Sequence, residues 1–301
     1  NVPFQMLTSM PLDRAAWAAI AMNASWQMTR MNLNTFNRNG VFKDGSVVRT
    51  VAKRLANRER IEKARAFPYQ LLTAYMMASH DIPRTIRRAL EAALEVSVRN
   101  VPEVAGATYV MLDVSASMHS PVTGHRKGST TKVRCVDVAA LMAASVLRRN
   151  RNAYVIPFTG SVQEIRINPR DTVMTNAEKL ASMPAGSTNC SAPLKLLNER
   201  RAHADTVIYV SDNESWIDTT HGSWRRGTET LHEWDILKRR CPDAKLVCID
   251  VQPYATTQAP DRADILNVGG FSDSVFQAIS RFVEGDAKGR HWVNAIKRIV
   301  I

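Results

Sequence analysis

From residue 108 onward, short runs rich in β-branched residues alternate with stretches of helical periodicity. The runs are Thr108–Asp113, Ala153–Phe158, Val162–Ile167, Thr206–Asp212 and Lys245–Asp250. The helical stretches between and after them fall at about 131–149, 175–183, 192–202, 228–240 and 272–284. Strand, helix, strand at this rhythm predicts a doubly wound α/β domain with a mostly parallel sheet. Val162–Ile167 follows its predecessor after only Thr159-Gly160-Ser161. A parallel crossover needs a dozen or more residues, so this pair is expected to form an antiparallel hairpin at the sheet edge.

The first hundred residues have a different texture. Val47, Val48, Val51 and Leu55 recur at helical spacing, as do Ile86, Leu90, Leu94 and Val98. Tyr69 to Ala78 is apolar nearly all round, which predicts burial between neighbours. Short helices joined by short loops suggest an all-α bundle or a helical-repeat solenoid, and no internal repeat decides between them. Pro102 to Gly106 reads as the boundary. The expected division is a helical segment over 1–103, an α/β domain over 104–285 and a basic tail over 286–301.

Composition narrows the class. At 301 residues the chain is long enough for about two domains, and 45% hydrophobic residues exclude wholesale disorder. No apolar run approaches the ~18 residues of a membrane span, so no membrane partner is expected. Cys135, Cys190, Cys241 and Cys248 are widely spaced, with no CxxC pair. That pattern speaks against a zinc finger or a disulfide framework and fits a reducing, cytoplasmic compartment. Asn1 is not an initiator Met, so the chain is read as trimmed, processed or numbered from inside a longer product. Of the net charge of +12, residues 1–103 carry 15 Lys+Arg against 8 Asp+Glu, and residues 104–285 are almost balanced at 21 against 19. A basic excess confined to one segment suggests an anionic partner such as nucleic acid; a solvated basic surface is the plain alternative.

The first predicted strand runs into Asp113-Val114-Ser115-Ala116-Ser117. In open α/β sheets, ligands sit beyond the carboxyl ends of the strands. Asp113, Ser115 and Ser117 are hard oxygen donors that can converge there, and hard oxygen suits Mg²⁺ rather than zinc. Two further oxygen-rich loops fall at comparable places: Gly186-Ser187-Thr188-Asn189, and Ser211-Asp212-Asn213-Glu214 after the Thr206 strand. Ser or Asp after a strand also caps helices, so Ser117 alone reads either way.

The D-x-S-x-S run, the later Thr188 and the strand-end Asp212 resemble the metal-ion-dependent adhesion site of von Willebrand factor A domains. That resemblance implies a Mg²⁺ or other divalent cation held by Asp113, Ser115, Ser117, Thr188 and Asp212. One coordination position would then stay open to an acidic group on a protein partner. Gly186–Pro193, Ser211–Ser215 and Gly270–Phe276 further resemble segments of the Ro autoantigen family, which joins a TROVE module to such an A domain. Met31–Arg38 and Arg65–Leu72 are similar to TROVE segments.

The family implies a HEAT-like helical ring closed by the A domain. It also implies binding of small noncoding (Y-like) or misfolded RNA, and an exoribonuclease as partner. Two departures stand out: the helical part is much shorter than in the family, and Asn189 occupies a position where relatives carry Asp.

The RNA-contact candidates are Arg30, Arg38, Lys53, Arg54, Arg58, Arg60, Arg87 and Arg88. Some of these have ready intrachain partners, as Arg87 does in Glu91 at i, i+4. Trp17, Trp26 and Phe36 could stack bases, but their helical spacing points to the core. Trp216 and Trp224, in the polar loop after Asp212, are the better exposed candidates, and Lys288, Arg290, Lys297 and Arg298 make the tail basic.

Catalysis has little support. A phosphatase of the haloacid dehalogenase type needs a second Asp where Ser115 stands. Cys190 with His203 or His221 has no supporting spacing, and neither a Walker loop nor a G-x-G-x-x-G follows a strand. The reading is therefore a non-catalytic RNA-binding protein. The alternative is a metal-dependent protein-interaction scaffold.

Overall fold

The computed structural model describes residues 10–124, 131–212, 229–252, 262–271 and 274–284. The chain divides into two compact units between Asn100 and Val101.

The first unit is helical: α1 (Arg14–Asn23), α2 (Trp26–Met31), α3 (Leu33–Arg38), α4 (Gly45–Leu55), α5 (Arg58–Lys63), α6 (Pro68–Met77) and α7 (Arg84–Ser97). Local chemistry sets the starts. Asp13, Ser25, Asp44 and Asn57 each accept a backbone N–H of the following first turn. Pro68 opens α6, where a missing N–H costs nothing. The α4 and α7 stripes pack on each other, burying Val51, Leu55, Ile86, Leu90 and Leu94. Trp17, Trp26 and Phe36 are buried as their spacing predicts, with Trp17 edge-on to Phe36. The Trp26 indole N–H donates to the Leu55 carbonyl at 3.0 Å. On α6, Leu71 and Leu72 are buried, whereas Tyr75, Met76 and Met77 are half-buried.

The second unit is a five-stranded parallel sheet: β1 (Thr108–Asp113), β2 (Ala153–Phe158), β3 (Thr206–Ser211), β4 (Lys245–Asp250) and β5 (Ile265–Gly269), in the order β2-β1-β3-β4-β5. Its helices are α8 (Cys135–Arg149), α9 (Val173–Ala181), α10 (Ala192–Glu199), α11 (Glu229–Arg240) and α12 (Ser274–Val283). Helix α8 lies on β1, β2 and β3 and is buried from Val136 to Leu147. Residues of α10 and α11, led by Leu194, Trp234 and Leu237, pack with Met111, Tyr209 and Cys248 of the sheet. The strand order reverses at β1, whose two neighbours are β2 and β3. That arrangement creates a crevice at the carboxyl ends of β1 and β3.

The expected hairpin is corrected by the structure. Residues 162–167 form no strand; a single antiparallel bridge joins Phe158 to Val162. Gln163 N–H donates to the Pro157 carbonyl at 2.8 Å, but Pro157 has no N–H to return, so the ladder stops there. Strand β5 was not anticipated. It is short and half-exposed, and Asn267 and Gly269 dilute its β pattern.

Candidate functional site

The crevice gathers the oxygen donors. Asp113 ends β1, fully buried. Its Oδ1 accepts the Ser115 N–H at 2.8 Å, which turns the chain sharply off the strand. Its Oδ2 accepts the Ser211 hydroxyl at 2.7 Å from the end of β3. The turn brings the Ser115 and Ser117 hydroxyls to 3.2 Å from one another. The loop carrying Thr188 is tied to the same turn, because Ala116 N–H donates to the Gly186 carbonyl at 3.0 Å. Gly186 lies against Thr159, and Asn189 N–H donates to the Thr159 carbonyl at 2.9 Å, fixing the loop over the end of β2. Thr188 is half-buried, and Asp212, the residue after β3, is buried.

The electrostatics are those of a charge held out of water. Burial pushes the Asp113 carboxyl up to about 6, against the pull of the Ser115 and Ser211 hydrogen bonds, and the like charge of Asp212 adds to the rise. Cys135, at the start of α8, is pushed up to about 12 by burial and by the nearby Asp212 and Asp250. Among the described residues no three His, Cys, Asp or Glu side chains form a metal cluster, so a cation here depends on the hydroxyls. Asn189 takes a different part: its Oδ1 accepts the Ser191 N–H and hydroxyl at the entry to α10. Asp250 Oδ1 accepts Gln252 N–H at 3.1 Å. Trp216, Trp224 and the basic tail lie outside the described residues.

The eight basic candidates of the helical unit separate by environment. Arg38, Lys53, Arg60 and Arg88 are exposed; Arg58 is exposed and paired with Glu62 at 2.8 Å. Arg30 is half-buried and donates to the Gln70 carbonyl at 2.9 Å, linking α2 to α6. Arg87 does not use the i, i+4 partner expected of it. It donates to the carbonyls of Ala78 and Ser79 at 3.0 and 2.8 Å, satisfying the end of α6, and lies over the Tyr75 ring. Arg54 is buried, only 9% exposed. Its guanidinium donates to the Ala21 and Met22 carbonyls and to the Thr29 hydroxyl. Burial lowers its pKa, with Arg60 adding to the effect. The mixed sequence of α4 gave no sign that Arg54 turns inward while Lys53 turns out.

A parallel sheet between helical layers, with D-x-S-x-S at the end of β1, a Thr loop beside it and an Asp after β3, defines a von Willebrand A domain preceded by a helical unit. A family model of the Ro60 vWA domain matches residues 108–283 and a TROVE domain model matches residues 13–81. The first spans more than half of the chain, and the chain belongs to the Ro60 family. It is 27% identical over 282 residues to a protein of Deinococcus radiodurans named RNA-binding protein RO60, covering 89% of this chain and 51% of that one. A Caenorhabditis elegans protein of the same name is 24% identical, covering 80% of this chain and 38% of that one. The chain thus spans about half the length of these relatives, or less. The crystal structure of the Deinococcus radiodurans Ro (RSR) protein shares the fold. It has a TM-score of 0.70 at 24% identity, covering 88% of this chain and 53% of that one. Among the described residues no helix is long and apolar enough to cross a membrane.

Proposed function

We propose that the chain is a non-catalytic RNA-binding protein of the Ro type. The observation that carries this reading is the tandem of a TROVE match and a Ro60 vWA match in this chain, whose relatives are named as RNA-binding proteins. The exposed Arg38, Lys53, Arg58, Arg60 and Arg88 supply phosphate contacts for small noncoding or misfolded RNA. Arg30 and Arg87 reach the same partner only where their carbonyl bonds leave N–H groups free. An exoribonuclease would meet the protein through the bound RNA, in the cytoplasm.

The A domain holds a divalent cation in this reading. A hard ion such as Mg²⁺ suits the donor set of Asp113, Ser115, Ser117, Thr188 and Asp212: two carboxylates and three hydroxyls, with Asp113 already desolvated. When bound, the ion would present a Lewis-acidic face to an acidic group on a partner. The chain's own residues prepare that face. Ser211 and the Ser115 N–H orient the Asp113 carboxylate, and the Gly186 carbonyl anchors the turn.

Fluorescence anisotropy tests the RNA reading, using a structured small RNA with and without a single-stranded 3′ tail over a salt series. Tail-dependent binding with a steep salt slope is expected. Weak binding indifferent to the tail would instead favour a Mg²⁺-dependent protein scaffold. That alternative predicts a protein pull-down that is lost in Asp113→Ala.

A further inference from the structure

Among the described residues, Tyr154 is the only Phe, Trp or Tyr that is exposed, at 51%. It stands near the start of β2, the edge strand of the sheet. Its ring stacks on that of Tyr109, its register partner on β1, with centroids 5.0 Å apart and planes inclined by 20°. Tyr109 in turn packs against the buried cluster of Leu194, Trp234 and Tyr209. The exposed ring is therefore backed by a second ring and by the core. No strand lies beyond β2, so the outer face of Tyr154 is turned to solvent.

Beside this ring the sheet edge is open. Gln163 N–H to the Pro157 carbonyl is the last backbone bond between β2 and the segment after it, among the described residues. Residues 164–166 stand off the strand and leave a groove of about 460 Å³. Val155, Ile156 and Leu196 supply its apolar floor, and Glu164, Arg166 and Arg200 reach its rim. Ile156 follows Tyr154 by two residues, so both side chains lie on one face of the sheet. Leu196 and Arg200 are one helical turn apart and share a side of α10. Helix α10 runs from the Thr188 loop back toward the start of β3, which brings Arg200 to the same end of the sheet as Tyr154.

The charge at this edge is positive, although the domain as a whole is almost balanced. Arg166 and Arg200 are exposed and form no ion pair among the described residues. Arg151, also exposed, lies two residues before β2. Glu164 is the one acid lining the groove. The negative pole of α10 is met by a cation, because Arg240 donates to Asn198 Oδ1 at 2.7 Å and to the Ala202 carbonyl at 2.9 Å.

We propose that this edge of the A domain is a second RNA surface, specific for single strands. One unpaired base stacks on the outer face of Tyr154, while Arg166 and Arg200 hold the phosphates beside it. The proposal rests on the RNA reading above and adds a site separate from the basic residues of the helical unit. Every base has a π face, so stacking on a backed tyrosine holds a strand without choosing its sequence. A duplex keeps its bases stacked on one another and offers none to the ring.

The test uses the full chain with fluorescein-labelled oligouridylate and oligoadenylate of about 12 nucleotides, and a duplex of the two. Ultraviolet crosslinking of the oligouridylate, mapped by mass spectrometry, should mark the peptide that carries Tyr154. Tyr154→Ala should weaken binding of both single strands about fivefold or more and leave duplex binding unchanged. Tyr154→Phe should bind as the parent does. Arg166→Ala and Arg200→Ala should each lower the salt slope by about one. All three side chains are exposed, so melting temperatures should stay at the parent value. Parent-like binding by Tyr154→Ala, with crosslinks confined to the helical unit, overturns this site and leaves the RNA reading standing. A parent that binds neither these strands nor a structured RNA with a 3′ tail overturns both. A hexapeptide of alternating Val and Glu that binds the parent and not Arg200→Ala, without competition from oligouridylate, would make the groove a strand-docking site and overturn the RNA assignment.

Discussion

The Ser211 hydroxyl reaches across from β3 to donate 2.7 Å to Oδ2 of Asp113, while the Ser115 N–H holds Oδ1. Among the described residues, neutral donors thus orient this fully buried carboxylate beside a second acid, Asp212, and no Lys or Arg pairs with Asp113. The pH dependence follows with a definite sign. The folded carboxyl, at about 6, lies above its ordinary 3.8, so the folded state keeps the proton to higher pH than the unfolded chain. Its contribution is complete below about pH 4 and is lost as pH rises through 6, a swing of about 3 kcal/mol. In chelator, Asp113→Asn should flatten that slope and be more stable than the parent at pH 7.5, by urea unfolding at about pH 4 and at pH 7.5.

Magnesium should work against that order. A ligand at a hundredfold its dissociation constant stabilises by about 2.7 kcal/mol. The parent should gain stability with added Mg²⁺ and Asp113→Asn should not. Ser115→Ala and Thr188→Ala should shift the midpoint of the titration to higher Mg²⁺. A parent whose melting temperature ignores Mg²⁺ up to millimolar levels would remove the metal assignment.

Most of this architecture was legible in the residues. The runs at 108–113, 153–158 and 245–250 became strands with those bounds; 108–113 and 245–250 are buried along most of their length and carry the apolar run such strands need, while 153–158 lies at the sheet edge with Tyr154 exposed. The strand ends then located Asp113 and Asp212 without any knowledge of their neighbours. What was hidden depended on single atoms or long-range contacts. The hairpin failed on one missing N–H at Pro157, and β5 needed the edge of β4 to exist. Cys241 Sγ lies 3.6 Å from His203 Nδ1, yet the two are 38 residues apart, and no local pattern joins them.

Gly106→Ala is expected to be costly. The residue combines φ +82° with a carboxylate where the methyl would go, Asp205 Oδ2 at 2.3 Å. Strain of this kind costs about 1–3 kcal/mol, and the movement of Asp205 also releases His203, whose Nε2 lies 3.1 Å from Asp205 Oδ1. Thermal unfolding should show the loss. A variant as stable as the parent would mean that the loop adapts.

Arg54 and its neighbour Lys53 should behave in opposite ways, although both read as basic α4 residues. Arg54 satisfies the Ala21 and Met22 carbonyls at the end of α1 and the Thr29 hydroxyl of α2. Arg54→Met leaves those acceptors buried without a donor, which costs about 1–3 kcal/mol for a single group and more for a set. Arg54→Lys does not rescue it, because an ammonium cannot span three acceptors as a planar fork does. Lys53→Ala removes an exposed side chain, so stability should stay within about 0.5 kcal/mol. If Lys53 meets phosphate, RNA affinity should fall and the salt slope should drop by about one. Urea unfolding and salt-dependent anisotropy on the same three variants separate the roles. A stability loss in Arg54→Met with a parent-like salt slope marks it as a core residue. A changed slope without a stability loss would instead return Arg54 to the RNA surface.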